Sequence, residues 1–166
     1  MNCMQRGSCL DLELTFTPLM DRIEYRINKS MKKKEIDVGG TVRKLKDFLS
    51  GCEDVVFAYL HGSFVQGEEF RDVDVAVFLT GGAVRSSDDV EYEISLSLRL
   101  EKEIGLPVDV KILNNAPLSF RYHASRGTLL LTKDEPVRED FLSRTWSEYF
   151  DFLPLSRIYM EELTRV

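Results

Sequence analysis

Two apolar runs joined by a Gly-Ser turn constrain the fold of this chain more than any other part of its sequence. Residues 55–60 are apolar or aromatic throughout, and the turn residues Gly62 and Ser63 follow shortly after them. The second run, residues 72–79, is apolar except for two aspartates near its start. Short, continuous apolar runs bounded by turn residues are typical of strands buried on both faces. We therefore expect two core strands, with the Gly-Ser turn at the end of the first.

Two aspartates open the second of these strands, and a third lies in a later one. Asp72 and Asp74 are two positions apart, so in a strand their side chains point to the same face, beside the Gly-Ser turn. Asp109 lies between two valines in the strand predicted over residues 107–113, which can pair beside the second. Clustered carboxylates repel one another. Mg²⁺ relieves that repulsion and is commonly shared between carboxylates and substrate phosphates. The three aspartates therefore predict a site for two Mg²⁺ ions and a nucleoside triphosphate.

Each motif has a separate part in a displacement at phosphorus. Two metal ions roughly 3.5–4 Å apart stabilise both the attacking and the leaving oxygen. Gly62 lets the backbone come close to phosphate, and exposed N–H groups together with the Ser63 hydroxyl can hold the β- and γ-phosphates. Asp109 can accept the proton of an attacking hydroxyl. Alone, an Asp-x-Asp or a Gly-Ser is common on protein surfaces, but their placement on successive strands favours the functional interpretation.

Neither histidine of the chain is assigned a catalytic role from the sequence. His61 adjoins the Gly-Ser turn but has no triad partner at a recognisable spacing, and the turn is not a Gly-x-Ser-x-Gly nucleophile elbow. His123 lies on a predicted helix among ordinary residues. Arg71, next to the aspartates, is assigned with equal weight to a phosphate contact or to a salt bridge with them.

Helices alternate with strands along the chain, which predicts an α/β (α+β) fold with a small mixed β-sheet and helices packed on it. Residues 90–100 alternate apolar and polar side chains, the period of a strand, but acidic residues before them and the Gly105 stop favour a helix. The glycine pair at 39–40 predicts a break over residues 34–40, after which Thr41 caps a helix. The predicted helices span 19–30, 41–50, 90–104, 117–126, 136–152 and 154–165, and the predicted strands span 54–61, 72–79, 107–113 and 128–132.

Length and composition bound the organisation of the chain. Its 166 residues fit one domain with a single core. We expect residues 1–40 to be a partly helical N-terminal extension and residues 41–166 to be the domain with its C-terminal helices. The net charge of −6 disfavours direct nucleic-acid binding, which requires a basic face. Because the sequence has no apolar stretch of membrane-spanning length, no signal-peptide pattern and no metal-ligand spacing among its cysteines, we expect a cytoplasmic protein with free thiols.

The Gly-Ser and aspartate motifs together resemble the minimal nucleotidyltransferase (MNT) domain of the DNA polymerase β-like nucleotidyltransferase superfamily. The matching segments are residues 61–67 (HGSFVQG), 72–77 (DVDVAV) and 108–110 (VDV). Residues 117–152 are similar to the MntA-like antitoxins of HEPN/MNT toxin–antitoxin pairs. The resemblance extends from Val42 to the C-terminus and leaves out the first forty residues.

This resemblance implies a nucleotidyltransferase fold and an enzyme, a protein adenylyltransferase, that uses Mg²⁺ to transfer AMP from ATP to a hydroxyl. In the antitoxins the acceptor is a tyrosine of the partner HEPN ribonuclease, which the modification silences. Carried over, Gly62 and Ser63 would hold the triphosphate, and Asp72 and Asp74 would hold the metal ions. Asp109 would complete the metal site and serve as the base. The connection from Ser63 to Asp72 is slightly shorter than in those antitoxins.

Two other functions stay open at this point. A small-molecule nucleotidyltransferase of the aminoglycoside-modifying kind usually carries a second domain for its acceptor, and the roughly fifty residues after Asp109 are too few for one. A non-catalytic antitoxin would neutralise its partner by contact alone, through exposed aromatic side chains such as Tyr149 or Tyr159. Aromatic residues in amphipathic helices are more often part of the core, which weighs against that interpretation.

Overall fold

A four-stranded sheet with helices on both faces forms the fold in this computed structural model, which describes residues 31–32, 36–66, 69–81 and 89–163. The strands are β1 (Met31–Lys32), β2 (Val55–His61), β3 (Glu69–Phe70), β4 (Val73–Leu79), β5 (Val108–Ile112) and β6 (Thr128–Thr132). The helices are α1 (Val38–Ser50), α2 (Ser63–Gln66), α3 (Asp89–Ile104), α4 (Leu118–Ser125) and α5 (Glu135–Leu163). The predicted helix over 19–30, and most of the predicted extension over 1–40, lie outside the described residues.

The main sheet has the strand order β5-β4-β2-β6. β4 pairs in parallel with β5 and antiparallel with β2, and β2 also pairs antiparallel with β6. A parallel pair requires a crossover connection, and α3 lies in the one between β4 and β5. β1 and β3 form a separate two-stranded sheet. The predicted mixed sheet with packed helices is confirmed.

β4 is buried on both faces because its alternate side chains meet different helices. Val73, Val75 and Val77 are fully buried in a cluster that includes leucines of α1 and α3, such as Leu45 and Leu100. The opposite face joins β2 and β4 to α4 and α5 through Val56, Phe57, Tyr59, Ala76, Leu113, Ala124 and Phe141. The predicted central position of this strand is confirmed. The start of the strand, where Asp74 is only partly buried, is the place that a ligand can reach.

Side chains of α3 satisfy the outer edge of β5. In a strand at the edge of a sheet, every second N–H points away from the sheet and needs another acceptor. Four residues of helix advance about 6 Å and two residues of strand about 6.6 Å, so acceptors four apart on α3 match N–H groups two apart on β5. The bonds run from Val108 N to Glu101 Oε1 (3.3 Å), from Val110 N to Ser97 Oγ (3.1 Å) and from Ile112 N to Glu93 Oε1 (2.9 Å).

The first described helix begins earlier than the sequence predicts. α1 starts at Val38, so the predicted break over residues 34–40 is wrong for its last three positions. Asp37 caps the helix by accepting a hydrogen bond from the Gly40 N–H at 2.9 Å, and Thr41 lies inside the first turn. The aspartate cap offsets the conformational cost of two glycines in that turn. The predicted end at Gly51 is confirmed.

The C-terminal region is one helix, where the sequence predicts two. α5 runs from Glu135 to Leu163 with Pro154 inside it, so the predicted division at residue 154 is wrong. A proline removes one backbone hydrogen bond and weakens the helix locally, but does not always end it. The connection from Ser63 to Asp72, for which the sequence predicts no helix or strand, contains α2 and β3. Neither α5 nor any other helix among the described residues is both long and apolar enough to cross a membrane.

The edge contact predicts a stability cost for Ser97→Ala. This substitution leaves the buried Val110 N–H without its acceptor, so we expect the free energy of unfolding to fall by about 1–3 kcal/mol. Urea unfolding measures the change. Ser95→Ala is the matched control, because Ser95 lies on the exposed side of the same helix. An equal and small change in both variants would show that the Ser97 contact contributes nothing.

Candidate active site

The turn after β2 brings the backbone against an aspartate. Gly62 has a φ of 77°, and a Cβ placed on it would lie 1.9 Å from Oδ2 of Asp74. Both facts require glycine, since the left-handed region disfavours other residues and the carboxylate already occupies the space of a side chain. Ser63 follows as the exposed first residue of α2. The predicted position of the Gly-Ser turn beside the carboxylates is confirmed.

Three strands place their polar residues in a single row. In the pairing of β2 with β4, His61 lies opposite Asp74, and in the pairing of β4 with β5, Asp74 lies opposite Asp109. Directly opposite residues share a face of the sheet and are about 4.5–5.5 Å apart at Cβ. Asp72 precedes β4 by one position and lies beside this acidic row. The structure thus brings the three predicted aspartates together at one end of the sheet.

The charges of this group act on Asp74 most strongly. Partial burial, followed by the negative charges of Asp72 and Asp109, raises the pKa of Asp74 to about 6. Burial disfavours the charged form, and each neighbouring carboxylate disfavours it further. Among the described residues, no lysine or arginine forms a salt bridge with any of the three aspartates. Lys111, which lines the same cleft, interacts electrostatically with Asp109 but forms its salt bridge with Glu93, so the repulsion among the three aspartates is only partly compensated.

His61 sits at the end of the same row in an unusual state. Its Nε2 atom is buried and has no hydrogen-bond partner among the described residues. Burial lowers the pKa of the imidazole, and the charge of Asp109 opposes that effect. The ring meets Phe120 of α4 edge to face, with centroids 5.4 Å apart. These contacts fix the ring between α4 and the acidic row.

Two clefts meet at His61. The first has a volume of about 350 Å³ and the second about 450 Å³. The first contains the carboxylates of Asp74 and Asp109, and its remaining lining is a mixture of charged, polar and apolar side chains. Its described lining is His61, Asp74, Asp89, Glu93, Asp109, Lys111, Ile112, Asn115, Ala116, Pro117 and Phe120. The second, which we call the Arg126 cleft, is lined by His61, Gly62, His123 and Arg126.

The acidic row fits Mg²⁺ that is shared with a substrate. Across the described ranges, no three acidic, histidine or cysteine side chains form a closed group around one ion position. Mg²⁺ seldom needs such a cage, because it is usually bound by one or two carboxylates together with substrate phosphates and water. The carboxylates of Asp72, Asp74 and Asp109 are adjacent and form no salt bridge with another described residue, which suits that arrangement. Phosphate oxygens would complete the coordination.

Comparison with protein families identifies the class of this domain. Residues 43–136 match the family described as polymerase beta, nucleotidyltransferase, which is more than half of the chain. The chain therefore belongs to the polymerase β-type nucleotidyltransferases, and the predicted family and fold are confirmed. Comparison with curated protein sequences gives no match.

Several solved structures with a similar fold are of toxin–antitoxin pairs. A crystal structure of the toxin–antitoxin pair MntA–HepT contains a chain that is 17% identical, with a TM-score of 0.58 over 75% of this chain and 97% of that one. The structure of a tri-AMPylated HEPN toxin of Shewanella oneidensis in complex with an MNT antitoxin contains a chain that is 18% identical. Its TM-score is 0.59 over 76% of this chain and 98% of that one. A toxin–antitoxin structure with AMP-PNP contains a chain that is 20% identical, with a TM-score of 0.57 over 78% of this chain and 99% of that one. At these identities the likeness establishes the fold.

Several residues at the site had no assigned role in the sequence. His61 adjoins the turn and is the last residue of β2. Because side chains alternate between the two faces of a strand, the sequence could have placed His61 on the face of the acidic row. Phe120, His123 and Arg126 carry no such signal, because α4 returns to the end of β2 only through the tertiary fold. Arg71 is exposed and forms no salt bridge with the three aspartates, so that alternative is wrong, and its contact with phosphate stays a prediction.

Comparing two glycines separates the causes of the requirement at position 62. Gly105 also has a positive φ, 73°, but a Cβ there would meet nothing within 4 Å. We expect Gly105→Ala to cost roughly 1–2 kcal/mol from backbone conformation alone. Gly62→Ala adds the clash with Asp74 and should lower the free energy of unfolding further. Thermal or urea unfolding of both variants measures the difference, and equal costs would contradict the close approach.

The raised pKa of Asp74 predicts a pH-dependent stability. Between its ordinary value of 3.8 and about 6, the folded protein keeps a proton that the unfolded chain has released. Stability should therefore fall as the pH rises through this window. Asp74→Asn removes the ionisation, so with a chelator present it should stabilise the protein at about pH 8 and much less at about pH 4. Asp47→Asn, on the exposed side of α1, is the control, and an equal gain at both pH values would refute the assignment.

Proposed function

We propose that this protein transfers AMP from ATP to a hydroxyl group, and that the acceptor is a tyrosine of a HEPN-type toxin. One observation carries the proposal: Asp74 and Asp109 stand side by side on paired strands, beside Asp72 and against the turn at Gly62. Membership of the nucleotidyltransferase family supports the reaction class. The protein would then act as the antitoxin of a toxin–antitoxin pair.

The reaction balances with the groups present. The acceptor oxygen attacks the α-phosphorus of ATP, the bond from that phosphorus to the bridging oxygen of the β-phosphate breaks, and pyrophosphate leaves. Asp109 accepts the hydroxyl proton. Asp72 and Asp74 would hold Mg²⁺, which would supply positive charge to stabilise the entering and leaving oxygens. Gly62 and Ser63 form the turn against which the phosphates lie.

The two clefts suit the two substrates of an in-line displacement. The attacking and leaving oxygens must approach phosphorus from opposite sides, and two clefts with otherwise different linings share His61. The first cleft reaches Asp109 and includes Phe120, Pro117 and Ile112, which suit the ring of an aromatic acceptor. A tyrosine entering there would bring its hydroxyl to the carboxylate that takes its proton.

The HEPN partner is supported by similarity of fold. One similar structure is a HEPN toxin that carries AMP, in complex with an MNT antitoxin, and another contains AMP-PNP. This chain matches 98% and 99% of those antitoxin chains. We therefore infer that the nucleotidyl transfer carried out by this family member is a transfer of AMP to such a toxin.

Neutralisation by contact alone is the second candidate. Its support lies on α5, where Trp146 is 39% exposed, and Phe150 and Phe152 are each 53% exposed. Large exposed aromatic side chains commonly mark protein interfaces. These residues can serve either candidate, since an enzyme acting on a protein also has to bind it.

Loss of single carboxylates separates the two candidates. The protein is co-expressed with a HEPN-type toxin, and the mass of that partner is measured by mass spectrometry to detect added AMP. We expect Asp74→Asn and Asp109→Asn to lower the transfer rate by on the order of a hundredfold or more, because each removes a charge that the displacement needs. Asp140→Asn is the matched control, as Asp140 is an exposed acid of α5 paired with Arg144.

An unmodified partner in the presence of the wild-type protein would contradict the transfer. Neutralisation of the partner by the double variant Asp72→Ala, Asp74→Ala would instead favour contact alone. AMP found on an added aminoglycoside, with none on the partner, would point to a small-molecule enzyme.

A further inference from the structure

The Arg126 cleft and the first cleft share His61 as a lining residue. Its volume is about 450 Å³, and its described lining has one guanidinium, two imidazoles and the turn glycine. No carboxylate contributes to that lining. The first cleft, by contrast, contains four acidic side chains. The described linings of the two clefts therefore differ in charge.

The fold fixes Arg126 beside the turn. β6 pairs with β2 up to Leu60 opposite Thr128, one residue before His61. A Cβ at Gly127 would lie 2.3 Å from the Leu60 carbonyl oxygen and 3.0 Å from Cβ of His61, so the chain at the end of α4 packs directly on β2. Arg126, the residue before Gly127, is held at the end of that strand.

Arg126 packs on an aromatic ring, which in turn stacks on a second ring. The Arg126 guanidinium lies 5.7 Å from the centroid of the Tyr122 ring, a cation–π distance. Tyr122 in turn stacks on Tyr149 with centroids 3.7 Å apart and planes 6° apart. The neighbouring Ser125 hydroxyl accepts a hydrogen bond of 3.0 Å from Nε1 of Trp146. These contacts anchor the end of α4 on α5.

Arg126, which follows the last residue of α4, has no acidic partner among the described residues, unlike Arg121, Arg138 and Arg144. Arg121 pairs with Glu148 at 3.4 Å, Arg144 with Asp140 at 3.0 Å, and Arg138 with Glu135. Among the described residues, Arg126 forms no salt bridge and is exposed to the cleft. In a chain of net charge −6, a guanidinium that packs on an aromatic ring, has no acidic partner among the described residues and lies beside a glycine turn is a local centre for an anion.

We propose that Arg126 binds the β- and γ-phosphates of the nucleotide in this cleft and stabilises the departing pyrophosphate. This inference rests on the proposed function, which places the α-phosphate at the acidic row. The rest of the triphosphate then passes Gly62 toward Arg126. A guanidinium matches phosphate oxygens with two parallel hydrogen bonds, and it faces charge that grows as the bridging bond breaks. His123 offers a second donor at the rim.

Binding of phosphate compounds tests the assignment without the partner protein. Isothermal titration in the presence of Mg²⁺ compares ATP, AMP and inorganic tripolyphosphate as ligands of the full chain. We expect Arg126→Ala to weaken ATP and tripolyphosphate by about tenfold or more, the loss typical of a charge-assisted hydrogen bond, and to leave AMP unchanged. Arg126→Lys keeps the charge and should recover part of that loss. Arg144→Ala, which also removes one exposed arginine, should bind all three ligands as the wild type does.

Each alternative outcome decides against the assignment. Equal weakening of ATP and AMP would place Arg126 on the nucleoside or the α-phosphate, and unchanged tripolyphosphate affinity would show that Arg126 binds no phosphate. A wild-type protein that binds neither ATP nor tripolyphosphate would also overturn it. Failure of the proposed function looks different: the partner stays unmodified while Arg126→Ala still loses tripolyphosphate affinity.

Discussion

The shared register of three strands is the constraint on which the candidate site depends. Backbone hydrogen bonds hold β4 between β2 and β5, and this pairing puts His61, Asp74 and Asp109 in one row. Their separations are therefore set by the sheet and not by the conformations of loops. Sites carried on strands are held more rigidly than sites on loops, which suits a reaction that depends on positioning.

The acidic row opposes folding, and the interior of β4 offsets it. Burial, together with the negative charges of Asp72 and Asp109, raises the pKa of Asp74 to about 6, because each makes the charged form of this carboxyl less favourable. Immediately after Asp74 the strand becomes wholly apolar, and burying a valine contributes roughly 1.5–3 kcal/mol. Val73, Val75 and Val77 are all fully buried. The apolar strand can therefore support a charged end, and a cation shared with phosphate would relieve the remaining repulsion.

The sequence predicts what alternation and turn chemistry encode, and little beyond it. Apolar runs and the spacing of Asp72 and Asp74 were enough to place two strands and their acids. The alternating pattern at 90–100 was ambiguous for a physical reason: α3 turns Leu96 and Leu100 to the core, leaves Val90 and Ile94 exposed, and presents polar residues to β5. The approach of Arg126 to Gly62 depends on how α4 packs against β2, which no local pattern reports. The division predicted at Pro154 is wrong for the opposite reason: the local rule that a proline ends a helix does not hold here, because the helix continues through it.

The hydrogen bonds from β5 to α3 also limit how this protein can meet another. A partner that joins a sheet by adding a strand needs a row of vacant N–H groups at the edge. At the β5 side that row is already occupied by Glu93, Ser97 and Glu101. Recognition on this flank must therefore proceed through side chains, and self-assembly into extended sheets is blocked there. The helix that seals the edge also contributes Asp89 and Glu93 to the first cleft, so one element both insulates the sheet and shapes the entrance for an acceptor.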